Sequence, residues 1–269
     1  MPDRLLGPLS APGIIAATGR DRARDAFRRA LPRRRGHLFL VRTADELRRT
    51  LATAFVDAVV VDLAQPTDET WAQAALARDY PSIPFLGYAP LRPADAATQA
   101  RAAKLELVDC LVEGAEDEVL RELTLPATFT VRFATALQDA PARIGLTTPV
   151  QLSAWRYIVA QGGRIVRTEA IADAVGLTRE HLSRRFSSDG APNLKRVIDL
   201  VRLLAAAALA KNPGLDLPDV SRILGFASAS HLSACCQRLF GVKSSSLARL
   251  RPADLMDRFV KQGRGRSRS

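Results

Sequence analysis

Glu180, Ser183 and Arg184 fall within the short segment TREHLSRRF (178–186), and at helical spacing they share one side. Arg184 is the residue type that grips guanine O6 and N7 through two parallel donors, Glu180 suits cytosine N4, and a serine hydroxyl serves either edge. Leu182 and Phe186, with Thr178, recur at i, i+4 and i+8 on the opposite side and are expected to face a core. Arg179, at the helix start, is better placed for a phosphate. Such chemistry is the reading of base edges. It requires a helix that can be presented to a major groove.

The elements that would present it occur twice. His-Leu-Ser stands at 181–183 and again at 231–233, each time behind a short helical pattern closed by glycine, AIADAVGL ending at Gly176-Leu177 and DVSRILGF ending at Gly225-Phe226. A helix, a Gly-containing turn and a second helix make a helix-turn-helix unit, whose second helix enters the major groove. Two units in one compact piece match successive groove faces, which recur about every 34 Å. In the second unit the same wheel puts Leu232, Cys235, Cys236 and Leu239 inside and Ala229, Ser230, Ser233 and Ala234 outside. That outer face is poor in readers. Ser230, Ser233, His231, Arg238 and Lys243 are therefore expected to meet the backbone, as are Lys195 and Arg196 on the joining helix.

Charge follows the repeat. Residues 1–125 hold 17 Lys+Arg against 18 Asp+Glu, whereas 126–269 hold 22 against 10, so the whole excess that attracts a phosphate polyanion lies in the second half. No window approaches the ~20 apolar residues a bilayer span requires, and the chain is expected to be cytoplasmic with no membrane partner. Its three cysteines fit a reducing compartment. The adjacent Cys235 and Cys236 have no partner set at metal-ligand spacing, so a core role is expected and neither a metal nor a cofactor.

Residues 13–125 alternate short apolar runs with helical patterns. The candidate strands are GIIAAT (13–18), HLFLVR (37–42), DAVVVDL (57–63), IPFLGYA (83–89) and VDCLVEG (108–114). Near-continuous Val/Ile/Leu runs between helices predict a parallel sheet buried on both faces. A five-stranded doubly wound α/β domain follows, ahead of an all-α domain. TGRDRARD after the first strand lacks the glycine spacing of a nucleotide loop. Between the halves, 115–149 carries Pro126, Pro141 and Pro149; ATFTVRFATALQ reads as a connecting helix and the hinge is placed near 139–148.

The sheet half resembles a response-regulator receiver domain over about 110 residues. DAVVVDLAQP matches that family's third strand, with Asp62 at the phospho-acceptor position and Pro66 four residues on. The family also needs an acid pair after the first strand to hold Mg²⁺, a Thr or Ser ending the fourth strand and a Lys ending the fifth. Here Thr18, Gly19 and Arg20 stand at the acid pair, Tyr88 at the Thr/Ser and Glu113 at the Lys. The resemblance thus implies a receiver-like fold without the phosphorylation switch, and a domain that controls a linked reader by homodimerisation or by a small-molecule or protein regulator.

Residues 149–250 resemble the AraC/XylS DNA-binding domain, which implies seven helices: two helix-turn-helix units joined by a long central helix, here NLKRVIDLVRLLAAAALA. Gly225, Phe226, Ser230, Leu232, Phe240, Gly241 and Val242 fall in register with the family's second block. Ala234 stands where the family usually has Arg or another long polar residue, and Ser244 replaces the usual Pro. The expected organisation is a receiver-like domain over 1–125, a connector over 126–148, the reader over 149–250 and a basic tail over 251–269, in which ADLMDRFV (253–260) forms a last helical turn or two and the RGRSRS end is disordered.

These readings converge on a sequence-specific regulator of transcription that binds double-stranded DNA, without catalysis. Two alternatives stand beside it. One is a true two-component response regulator phosphorylated on Asp62. The other is an enzyme in the α/β domain that the basic half targets to DNA, against which the sheet half offers His37 as its one histidine and no nucleophile–base set.

Overall fold

The computed structural model describes residues 10–90, 92 and 95–266. The chain divides into two compact units, one comprising Ala11–Arg132 with Asn212–Leu215, the other formed chiefly by Phe133–Lys211 and the stretch from Asp216 onward.

In the first unit all five predicted strands form: β1 (Gly13–Ala17), β2 (His37–Val41), β3 (Ala58–Asp62), β4 (Phe85–Ala89) and β5 (Asp109–Val112). They pair in parallel in the order β2-β1-β3-β4-β5. Helices α1 (Asp21–Ala30), α2 (Ala44–Thr53), α3 (Asp68–Ala75) and α4 (Ala96–Ala103) make the four crossovers, and α5 (Asp117–Thr124) follows β5. The central strands β1, β3 and β4 are buried throughout, which is why they read as unbroken apolar runs; the outer strands β2 and β5 are partly exposed. One core layer gathers Ile14, Phe27, Val60, Leu86 and Leu120, and the Phe27 and Tyr88 rings meet edge to face at 5.0 Å. The strand order reverses direction between β1 and β3. In open parallel sheets the crevice at that switch point, beyond the carboxyl ends of the strands, is where functional groups collect.

Opposite that crevice, fully buried Asp57 accepts from the Gly13 amide at 2.8 Å and from the amide and hydroxyl of Thr130. It pins the start of β1 to the first turn of α6 (Phe129–Ala136).

The connector differs from the hinge read in the sequence. The division between units falls inside α6, between Arg132 and Phe133, and α7 (Ala140–Arg143) belongs to the helical unit. Leu137, Ala140, Ile144 and Leu146 are buried, the Leu137 carbonyl accepts from the Trp155 indole at 3.3 Å, and Arg143 makes a forked pair with Asp257 at 3.0 and 2.9 Å. Residues 139–148 therefore pack as part of the reader rather than forming a loose joint.

The helical unit continues with α8 (Pro149–Val159), α9 (Thr168–Ala174), α10 (Arg179–Phe186), α11 (Leu194–Leu209), α12 (Leu217–Ile223), α13 (Ala229–Phe240) and a 3-10 turn over Ser244–Arg249. The apolar α11, with Val197, Leu200, Leu203 and Leu204 buried, packs against α8, α12 and α13, while α9 and α10 of the first helix-turn-helix unit pack on α8. The helical turn or two expected over 253–260 is a longer helix, α14 (Pro252–Arg266), which takes in the first half of the RGRSRS end expected to be disordered: Leu255, Met256 and Phe259 are buried, and this apolar stripe docks the helix. Residues 267–269, the end of the segment expected to be disordered, lie outside the described residues.

Candidate nucleic-acid interface and the carboxylate crevice

The duplicated His-Leu-Ser has one structural cause. Thr178 and Ser228 are N-caps, and each side-chain oxygen accepts from the backbone N–H of the histidine three residues on, His181 at 3.3 Å and His231 at 3.0 Å. The leucine that follows is fully buried in both copies. Capping sets where α10 and α13 begin, and the turns before them pass through Gly176 at φ +69° and Gly225 at φ +64°, a left-handed conformation that glycine adopts without steric cost. Thr178 was expected in the core with Leu182 and Phe186. It is exposed, because an N-cap residue precedes the helix and does not follow its wheel.

In α10, Leu182 and Phe186 are fully buried, while Arg179, Glu180, Ser183, Arg184 and Arg185 are all exposed. Glu180, Ser183 and Arg184 lie together on the free side. Arg179 reaches Glu169 on α9 at 3.1 Å, an exposed pair of the kind that contributes little and yields easily to a stronger anion. Gln151 supports the helix from inside: wholly buried, it donates to the Phe186 carbonyl at 2.9 Å and accepts from the Thr147 and Thr148 amides.

The second unit presents a different surface. Leu232, Cys235, Cys236 and Leu239 are buried, and burial pushes the Cys236 thiol up to about 12, so it remains a neutral core group. Ser230, His231, Ala234, Arg238 and Lys243 are exposed. The Ser233 hydroxyl is engaged within the protein, with the Ala229 carbonyl at 2.9 Å and the Ser244 hydroxyl at 2.8 Å; the serine that stands in place of proline ties the 3-10 turn to α13. The His231 ring stands 5.9 Å from that of Phe226 in an edge-to-face arrangement, and Arg238 pairs with Asp199 at 3.0 Å.

On the joining helix Lys195 is exposed. Arg196 is half-buried, donating to the Phe259 carbonyl at 3.0 Å with its guanidinium 4.7 Å from the Phe259 ring centre, so it anchors α14.

Two residues were not picked out in the sequence. Arg202 donates twice to the Leu224 carbonyl, at 2.9 and 2.7 Å, and stacks 3.8 Å from the Phe226 ring centre. It satisfies the end of α12 and fixes the turn that aims α13; burial lowers its guanidinium from the ordinary arginine range. Gln237 is exposed on the same strip as Ser230 and Ala234, at i+7 and i+3, and gives α13 one amide able to pair with adenine. Its spacing from Ser230 was the available signal.

In the sheet unit, Thr18, Arg20, Asp62, Tyr88 and Glu113 converge on the β1/β3 switch point. Asp62 is buried. One of its oxygens accepts from the Thr18 hydroxyl at 2.6 Å and Arg20 Nε at 2.7 Å; the other accepts from Arg20 Nη2 at 2.7 Å and the Ala64 amide at 3.2 Å. An ionised carboxylate offers about four acceptor positions, and all four are filled. The remaining Arg20 nitrogen, Nη1, donates to Glu113 at 3.0 Å, so one guanidinium joins the ends of β1, β3 and β5. Its hydrogen bonds to Asp62, partly opposed by burial, hold Arg20 above the usual arginine range. Burial and the neighbouring Glu113 raise the Tyr88 phenol, which keeps it neutral. Among the described residues no group of three or more His, Cys, Asp or Glu side chains is placed to hold a metal ion, and no helix is long and apolar enough to cross a membrane.

Known proteins are similar to the chain over stretches of different length. A family model described as a helix-turn-helix domain, of the AraC type, matches residues 171–249. Solved structures similar to the chain include a response regulator from Thermotoga maritima, at 14% identity over 44% of this chain and 98% of that one with a TM-score of 0.38. Others are full-length FixJ from B. japonicum, at 17% identity over 90% of this chain and 100% of that one with a TM-score of 0.38, and NtrX from Brucella abortus, at 16% identity over 62% and 40% with a TM-score of 0.43. No curated protein matches the chain. Residues 171–249 thus match an AraC-type helix-turn-helix domain, and the sheet unit is five parallel strands with flanking helices.

Proposed function

We propose, from the premise that residues 171–249 form an AraC-type helix-turn-helix domain, that the protein is a sequence-specific transcription regulator whose base reading is concentrated in α10. The observation that carries this is the free α10 face, where Glu180, Ser183 and Arg184 stand exposed over a buried Leu182 and Phe186. The second unit holds the duplex chiefly through its backbone. Arg179, Lys195, Ser230, His231 and Lys243 contribute phosphate contacts, whereas Arg196, Ser233 and Arg238 act mainly through the intramolecular partners they already have.

Arg184→Ala should then cost roughly 1–3 kcal/mol of specific binding and relax the sequence preference, while Ala234→Ser should change little. Competition titrations against a selected duplex and a scrambled one separate the two effects. Equal loss of specificity from both substitutions would contradict the division of labour between α10 and α13.

The sheet unit acts without phosphorylation in this reading. With both oxygens of Asp62 saturated and an arginine where a cation would be bound, nucleophilic attack by the carboxylate would first have to break a forked ion pair. Incubation with a small phosphodonor and Mg²⁺ should leave the protein unmodified by mass spectrometry. An acyl phosphate on Asp62 that also raises DNA affinity would establish instead a conventional response regulator. Control otherwise passes through self-association or a bound regulator.

A further inference from the structure

The two free edges of the sheet carry opposite charge. At the β2 edge, residues 33–49 include six arginines against two carboxylates, and at the β5 edge residues 104–124 include two basic side chains against seven carboxylates, five of them once Glu113, paired with Arg20, and Asp117, paired with Arg29, are set aside. Because the strand order places β2 and β5 at opposite ends of the sheet, four strand spacings separate them by about 19 Å. That exceeds two Debye lengths at physiological ionic strength, ~8 Å each, so the edges do not neutralise each other within one molecule.

Each edge also has an apolar component. The basic edge holds a groove of about 560 Å³ lined by Arg28, Leu31, Arg33, Gly36, His37 and Phe39, with Arg34 and Arg35 exposed next to Arg33 in the chain and Leu38, Phe39 and Leu40 half-buried along the edge strand β2. The acidic edge carries three of the chain's four exposed large hydrophobic residues among those described: Val108 at 53%, Val119 at 41% and Leu123 at 53% exposure. Each sits beside an exposed carboxylate, Val108 beside Asp109, Val119 beside Glu118 and Leu123 beside Glu122. Aliphatic side chains flanked by carboxylates are the chemical complement of an apolar groove rimmed by guanidinium groups.

We infer that the β5/α5 edge of one copy docks on the β2 edge of the next. The two surfaces differ, so the contact is heterologous and repeats head to tail into an open row instead of closing as a two-fold dimer. A row of sheet units would carry its linked readers as a multivalent array, raising occupancy through effective concentration. The inference deepens the self-association part of the function proposed above, but it is measured without DNA, so failure of base reading would leave it standing and its own failure would leave the reader assignment intact.

The test is sedimentation of the full-length protein. The wild-type mass should rise with concentration past that of two chains and return to that of one in about 1 M salt, where screening length falls to ~3 Å. A variant with Arg33→Ala, Arg34→Ala and Arg35→Ala lacks one edge, and a variant with Val108→Ser, Val119→Ser and Leu123→Ser lacks the other; all six positions are exposed, so folding is retained and circular dichroism checks it. Each variant alone should lose at least about tenfold in association constant. Mixed, they should form a one-to-one complex and nothing larger, because only one intact joint remains. A wild-type protein that stays monomeric overturns the inference, as does a triple-arginine variant that dimerises alone, which would mean that the acidic face pairs with itself. So does loss of DNA affinity in that variant with self-association unchanged, which would assign the arginine loop to DNA.

Discussion

Raising the salt from 50 to 200 mM should weaken duplex binding by the full-length protein on the order of 10³-fold. The expectation follows from the distribution of charge: the half containing the reader holds 22 basic against 10 acidic side chains. Within the helical unit Arg179, Arg184, Arg185, Lys195, Lys243 and Arg249 are exposed. About six neutralised phosphates give a slope near −5 in log affinity against log salt, because each contact releases condensed counterions from the duplex. Fluorescence anisotropy across a salt series reads that slope directly. Lys195→Ala or Lys243→Ala should each lower its magnitude by about one and weaken selected and scrambled duplexes alike, since phosphate contacts carry no sequence information. Absence of binding at low salt, or a flat salt dependence, would remove DNA as the partner of the helical unit.

Much of this architecture is legible in the sequence for specific physical reasons. Val59, Val60 and Val61 are buried on both faces of the sheet, so β3 had to be an unbroken apolar run, and the same holds for Ile14 and Ile15 in β1. The free face of α10 is legible because Leu182 and Phe186 fix the wheel. The wheel fails at the ends of elements. Thr178 keeps the period of Leu182 and Phe186 but sits one residue before the helix, where its oxygen caps a backbone amide. Ser233 falls outward by period, yet its hydroxyl is taken by Ser244, a contact across a turn that no periodicity encodes. The length of α14 was hidden by Gly263 and Gly265, which lower helix propensity, and by its basic residues, which suggest a solvated end; burial of Leu255, Met256 and Phe259 anchors the helix. At the crevice the residue types were legible one by one. Their mutual bonding was not, because Thr18, Arg20, Asp62 and Glu113 come from three strand ends that only the fold brings together.

That bonding makes Arg20 the residue on which the crevice depends. Arg20→Ala should lower the stability of the sheet unit by roughly 3–5 kcal/mol, the usual effect of removing one partner from a buried ion pair. The variant would leave Asp62, 5% exposed in its side chain, and Glu113, 8% exposed, without their shared counter-charge. Arg20 itself is 23% exposed, and water entering in its place puts the expectation at the lower end of that range. Arg20→Lys should recover only part of the loss, because an ammonium cannot reproduce the forked contact to both Asp62 oxygens while also reaching Glu113. Since the folded state raises the guanidinium above its ordinary range, this stabilisation is present from neutral pH up to that range and is lost on the alkaline side only as pH rises through the raised value. The gap between wild type and Arg20→Ala should therefore show no decline from neutral to mildly alkaline pH. The two tryptophans, Trp71 in α3 and Trp155 in α8, lie in different units, so urea unfolding followed through Trp71 in a Trp155→Phe background reports the sheet unit alone. A loss below about 1 kcal/mol would mean that the Arg20–Asp62 pair behaves as an ordinary surface contact, and the saturated carboxylate would cease to support the proposal that the sheet unit acts without phosphorylation.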